Sequence, residues 1–225
     1  MSTTSASVLH LSRRATALAA LVLALVGTAV FTAAASADFT LNSGRITFTA
    51  GSTTGNPPSG SWVALPSDDG GGAYFTNPSS TWTGTPDSFY TLIRPGASPA
   101  GLILGASQPA GGIIGSTTDT FGGAPWTLIT QSAPTLTFAG TSTGTGTRVL
   151  TGGDLSGLRV SYGGNTYNVG TGFAAGAHRI APLTGEITGS TTGNNTIRLN
   201  WTTDLTEPGF DTFRAQFQLV GTYHH

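Results

Sequence analysis

Phe213-Arg214-Ala215-Gln216-Phe217-Gln218-Leu219-Val220-Gly221-Thr222-Tyr223 alternates apolar and polar residues with almost no interruption. Phe213, Ala215, Phe217, Leu219 and Tyr223 fall on one face, and Arg214, Gln216, Gln218 and Thr222 on the other. A period of two marks a strand with one buried and one wet face. The segment before it repeats the pattern, with Ile197, Leu199 and Trp201 inward and Arg198, Asn200 and Thr202 outward. Gly193-Asn194-Asn195, between Ile187 and Ile197, supplies residues that tolerate positive φ, as a tight hairpin requires. Residues 184–223 therefore predict a three-stranded antiparallel meander.

Working outward, the same signals recur in shorter form. Strands are predicted at Arg45–Ala50, Ser61–Leu65, Phe89–Ile93, Trp126–Thr130, Thr135–Ala139, Thr147–Thr151, Gly157–Tyr162 and Thr166–Val169. The last two flank Gly163-Gly164-Asn165, a strong hairpin signal. Residues 97–125 are rich in Gly, Ala and Pro; their apolar islands Leu102-Ile103-Leu104 and Ile113-Ile114 are assigned to a core but to no sheet. Gly170–Pro182 reads as a linker and Pro66–Asp87 as a long loop. No helical periodicity follows the leader, and the 33 glycines oppose stable helices. The expected fold is all-β, an antiparallel β-sandwich, with an up-and-down β-barrel as the alternative.

The first 37 residues predict a cleaved export signal. Arg13 and Arg14 precede the uncharged apolar run Ala15–Phe31, and Ala35-Ser36-Ala37 offers small residues at a cleavage site. Ser12-Arg13-Arg14 also suits the twin-arginine route, but Thr16 and Ala17 favour general secretion. Cleavage would leave residues 38–225 as a single all-β extracellular domain. The chain has no cysteine, so disulfides, thiolate metal sites and a lipoprotein anchor are excluded despite an oxidising destination. Stability must come from buried apolar surface, which a chain of this size can supply. No further apolar span follows, so no integral membrane segment is expected once the leader is removed.

Only 8% of residues are charged, and the nine basic residues are all arginine, which points to a GC-rich genome. No basic run occurs, so nucleic acid is not an expected partner. The composition suits an uncharged polar surface on an exported or cell-envelope protein.

Candidate chemistry is sparse. Gly140-Thr141-Ser142-Thr143-Gly144 matches the nucleophile-elbow string of α/β-hydrolases, with Asp154 and His178 following in order. The elbow needs a helix after the serine, whereas Thr145-Gly146-Thr147 leads into another strand. Glu186 and Glu207 are the only glutamates; Glu186 with Asp204 or Asp211 is a weak glycosidase pair. Asp68-Asp69 beside three glycines reads as a plain turn rather than a calcium site. No catalytic set, metal site or cofactor is assigned, and no enzymatic activity is expected. The aromatic residues are the better lead, because they concentrate in residues 62–90 beside long loops. Tyr74, Trp82 and Tyr90, with Arg94, form the candidate ligand-binding set, since exposed rings stack on sugars while a guanidinium fixes hydroxyls. Trp62 and Phe89 are expected to face the core.

Pro58-Ser59-Gly60-Ser61-Trp62, Tyr74-Phe75-Thr76-Asn77-Pro78, Tyr90-Thr91-Leu92-Ile93-Arg94-Pro95-Gly96 and the close at Phe213–Tyr223 resemble segments of secreted, β-rich actinobacterial proteins of uncharacterised function. The resemblance implies export and a β-rich fold, and carries no functional residue. The favoured expectation is a non-catalytic secreted envelope or surface protein acting by binding or assembly, with polysaccharide or self-association as partner. A carbohydrate-binding module is the second reading. A glycan-active hydrolase and an outer-membrane barrel are weaker alternatives.

Overall fold

The computed structural model describes residues 37–52, 58–65, 90–96, 101–106, 108, 112–121, 124–170, 179–193, 195–205 and 213–225. The described residues belong to one compact unit, Ser36–His225. Among the described residues every element is a strand, all pairings are antiparallel, and no helix is long and apolar enough to cross a membrane.

The C-terminal meander forms as its alternation requires. β12 (Arg179–Gly189), β13 (Asn195–Leu205) and β14 (Phe213–His224) lie side by side. Ile197, Leu199, Trp201, Ala215, Phe217 and Leu219 point into the core. The gap in the apolar series at Gly221 has a steric cause: a Cβ there would strike Ile46 and the Thr47 carbonyl. The stretch Arg179–Pro182, expected as linker, is instead the start of β12, where the register with β13 shifts between Arg179 and Thr184. Such irregularity breaks the period-two pattern that would have revealed it.

On one side of the meander the order runs through β9 (Thr147–Asp154), β8 (Thr135–Phe138) and β1 (Phe39–Leu41). On the other, β14 forks. Its C-terminal half pairs with β2 (Arg45–Phe48), which holds β5 (Leu102–Ile103). Its N-terminal half pairs with β3 (Trp62–Ala64), followed in order by β4 (Tyr90–Pro95), β6 (Gly115–Phe121), β7 (Ala124–Thr130), β10 (Leu158–Tyr162) and β11 (Asn165–Asn168). Residues 97–125, left outside any sheet by the sequence reading, thus contribute β5, β6 and the start of β7. The β10–β11 turn is the Gly163-Gly164 hairpin expected, with φ of 57° and 81° that only glycine adopts freely.

The sheet curls so that its two halves share one core. Two of the crossings between halves run over residues 131–134 and 155–157, and the Gln131 N–H donates to the Gly157 carbonyl at 2.8 Å to tie them together. Leu136, Phe138 and Leu150 from one half and Trp126, Leu128, Leu158 and Val160 from the other belong to a single apolar cluster. Each fully buried large side chain contributes about 1.5–3 kcal/mol, which is how a chain without cross-links holds together. The outward face is polar, carrying Thr, Gln and Asn with Glu186 and Arg198 among them. That polarity is the reverse of a lipid-facing barrel's, whose outward band is apolar.

The fork in β14 would leave Val220 without a regular ladder partner on the side away from β13. Buried Ser61 fills the place: its hydroxyl donates to the Val220 carbonyl and accepts the Val220 N–H, both at 3.0 Å. Thr49 N–H adds a bond to the same carbonyl at 2.7 Å. Ser61→Ala is expected to orphan the part-buried Val220 N–H and cost about 1 kcal/mol. Urea denaturation of the variant checks this, and a midpoint equal to wild type would refute the role.

Candidate functional site

Register lines up two rows of side chains on the face of the sheet away from the core, perpendicular to the strands, with their β3 members Trp62 and Ala64 buried. Thr184 (β12) stands opposite Asn200 (β13), Asn200 opposite Gln218 (β14), Gln218 opposite Trp62 (β3) and Trp62 opposite Leu92 (β4). The next row runs Thr202, Gln216, Ala64, Tyr90. Amides and hydroxyls therefore lead across the sheet to an aromatic pair.

That pair departs from the sequence expectation. Trp62 is 3% exposed, as a core residue would be, yet it lies outside the core cluster and on the opposite face of the sheet. Its neighbour Val63 is the inward residue, paired with Phe217. The Tyr90 ring meets the Trp62 indole edge-on, with centroids 4.9 Å apart and planes at 88°. The Trp62 Nε1 is buried and has no hydrogen-bond partner among the described residues. Tyr90 and Leu92 are half-buried, and Arg94, two residues on, is exposed on the same face. Gln218 is anchored by its Nε2 donating to the Gly60 carbonyl at 2.8 Å, which leaves its amide oxygen free of that bond. Of the expected binding set, Tyr90 and Arg94 are thus on one strand and one face. Tyr74 and Trp82 lie outside the described residues, as does Phe89. Trp62, outside that set and expected in the core, is buried but on the face away from the core cluster; Trp62-Val63-Ala64 is apolar throughout and carries no signal for which residue faces outward.

The outer face holds little charge. Glu186 faces Arg198 with N–O separation of 3.9 Å, both largely exposed, a pairing worth about 0–1 kcal/mol. Asp204 lies six positions along β13 from Arg198, the partner of Glu186, or about 20 Å at the rise of a strand. Paired glycosidase carboxyls sit about 5–9.5 Å apart, a closer spacing than that between these two backbone positions. Glu207 and Asp211 lie outside the described residues.

The elbow-like string is equally dispersed. Ser142 is in the loop before β9, whereas Asp154 ends that eight-residue strand and accepts the Ser156 N–H at 2.7 Å. The loop runs into β9, not into a helix. His178, Asp68 and Asp69 lie outside the described residues. Among the described residues no group of three or more His, Asp or Glu side chains converges.

What the Ser142 loop does instead is receive a buried cation. Arg148 of β9 donates to the Thr141 carbonyl at 2.6 Å, the Ser142 carbonyl at 3.2 Å and the Gly189 carbonyl, and lies 4.9 Å over the Phe39 ring. It clasps β1, the β8–β9 loop and the end of β12. Burial pushes its guanidinium below the ordinary arginine range. The folded state thus releases that proton before the unfolded chain does, so stability would rise with pH only in strongly alkaline solution. Arg148 contributes no pH dependence near neutrality.

Comparison of the chain with protein-family models, curated proteins and solved structures finds no match.

Proposed function

We propose that this chain is a non-catalytic protein of the cell envelope or extracellular surface that works by binding, and that its ligand is a neutral polysaccharide. The observation carrying this reading is the outer face itself. Rows of uncharged hydroxyl and amide side chains end at Tyr90, packed on Trp62 and flanked by Arg94. Hydroxyls and amides exchange hydrogen bonds with sugar hydroxyls, a ring offers a stacking surface, and the near-neutral field neither recruits nor repels a polyanion. The leader-like residues 1–37 supply the route to such a ligand.

The test is co-sedimentation of residues 38–225 with microcrystalline cellulose, chitin and a cell-wall preparation, with tryptophan fluorescence read in parallel. Saturable pelleting is expected, weakened at least about tenfold, or about 1.4 kcal/mol, in the double variant Tyr90→Ala, Arg94→Ala. Trp62 emission should shift on binding, because Tyr90 rests on its ring. No pelleting with any of the three would reject the reading.

A further inference from the structure

β1 begins one residue past the Ala37–Asp38 bond at which the leader is expected to be cut. Among the described residues it ends the strand order and is paired with β8 alone. A three-residue edge strand would ordinarily fray, yet every residue from Asp38 to Leu41 is held. The Asp38 carboxylate accepts the Thr151 hydroxyl at 2.7 Å. The Phe39 ring stacks on Phe138 with centroids 5.8 Å apart, and the Arg148 guanidinium lies 4.9 Å over it. The hydroxyls of Thr40 and Thr137 are 2.9 Å apart and hydrogen-bonded. Leu41 is buried in the core cluster. The corner that follows is pinned too, because the Tyr223 hydroxyl donates to the Ser43 carbonyl at 3.1 Å. Gly44, with φ of 80°, sits where a Cβ would strike the His224 carbonyl.

These contacts bear on the order of events during export. Ala37 and Asp38 are exposed, but one residue, about 3.3 Å, separates the bond to be cut from the first residue paired with β8. A peptidase cleft grips an extended chain on both sides of the bond it cuts, and a sheet edge cannot enter such a cleft. Cleavage of the folded chain must wait until β1 leaves β8 and β9, which breaks the contacts of Asp38, Phe39, Thr40 and Leu41 together. The rate then follows the small open fraction. Docking of β1 and removal of the leader therefore exclude each other.

The twin-arginine route carries chains already folded, so its substrates need slack between the cleavage bond and the folded body. This chain has one residue of slack. The general route passes an unfolded chain, whose cleavage bond is free before any strand pairs. We infer that the chain is exported unfolded by the general route and that β1 is a latch closing only after the leader is cut. A chain that folds first stays a precursor, carrying its apolar leader. The latch requires the leader and is independent of what the outer face binds.

Two experiments test it. Arg13→Lys with Arg14→Lys keeps the leader's charge and removes the arginine pair that the twin-arginine route reads. Release of mature protein from a bacterial host is expected to be unchanged, and abolished release would overturn the inference. The second experiment refolds the full chain in detergent micelles and adds bacterial signal peptidase. Wild type is compared with a variant carrying about eight Gly and Ser residues inserted between Asp38 and Phe39, or about 26 Å of slack. The insertion leaves Ala35 to Asp38 intact for the peptidase and gives up only the Asp38 contact; circular dichroism verifies that both chains are folded. Wild type is expected to be cut at least about a hundredfold more slowly than the spacer variant. Equal rates would overturn the latch. Failure to cut either chain at the Ala37–Asp38 bond would remove the leader reading and the latch with it. Polysaccharide binding is decided separately, because its pelleting experiment starts from residues 38–225.

Discussion

Replacing Trp201 with alanine is expected to lower unfolding free energy by about 3–5 kcal/mol, the largest single loss anticipated for this protein. Trp201 is 2% exposed and stacks on Phe217 across the β13–β14 pair, with centroids 4.8 Å apart and planes at 11°. Its indole Nε1 donates to the Val169 carbonyl, just past β11, at 2.8 Å. One side chain thus links the meander to the far end of the strand order. Truncation opens a cavity and orphans a buried carbonyl together. Trp201→Phe separates the two effects, since it keeps much of the stack and removes only the hydrogen bond and part of the volume; about 1–2 kcal/mol is expected. Urea denaturation followed by circular dichroism measures both. A Trp201→Ala midpoint within error of wild type would show that the two halves do not depend on this bridge.

Asn195→Asp is expected to cost about 2–4 kcal/mol at neutral pH through a change of one atom. The Asn195 side chain is 5% exposed and does the work of a missing ladder rung at the β13–β14 end. Its oxygen accepts the Tyr223 N–H at 2.7 Å, while its nitrogen donates to the carbonyls of Tyr223, Gly193 and Ser190 at 3.0, 3.1 and 3.2 Å. An aspartate oxygen would face those carbonyls with no proton to give. Burial and carbonyl dipoles would both raise its pKa above the unfolded value. The folded state then holds a proton the unfolded chain has lost, so the variant's deficit should shrink as pH falls toward the ordinary carboxylate range. Melting curves at acidic and neutral pH, compared with wild type, check the sign. A deficit independent of pH would mean the carboxylate escapes to solvent.

The two predictions rest on residues of unequal legibility. Trp201 was readable as core from its step with Ile197 and Leu199, although nothing in the sequence announced Val169 as its hydrogen-bond partner. Asn195 was readable only as a turn residue; its role as a surrogate backbone group depends on Tyr223, 28 positions away. Ser61 and Arg148 are similar cases. Each satisfies backbone groups exposed by an irregularity in the sheet, and an irregularity leaves no periodic trace.

The candidate site was legible in part for the same reason. Tyr90 and Arg94 stood out as an aromatic and a cation at alternate positions beside a long loop, and both lie on the outer face. Trp62 did not, because three apolar residues in succession do not reveal which one faces the core.

By itself, then, the sequence determined the class of fold, the C-terminal meander, the Gly163-Gly164 hairpin and the polarity of the surface, because each follows from local periodicity or from a backbone angle that glycine permits. Only the tertiary structure decided how β14 forks, how the sheet curls so that its halves share one core, and which side chains align in rows. Those outcomes depend on pairings between residues far apart in the chain, and strand alternation specifies a face without naming the strand that will lie beside it.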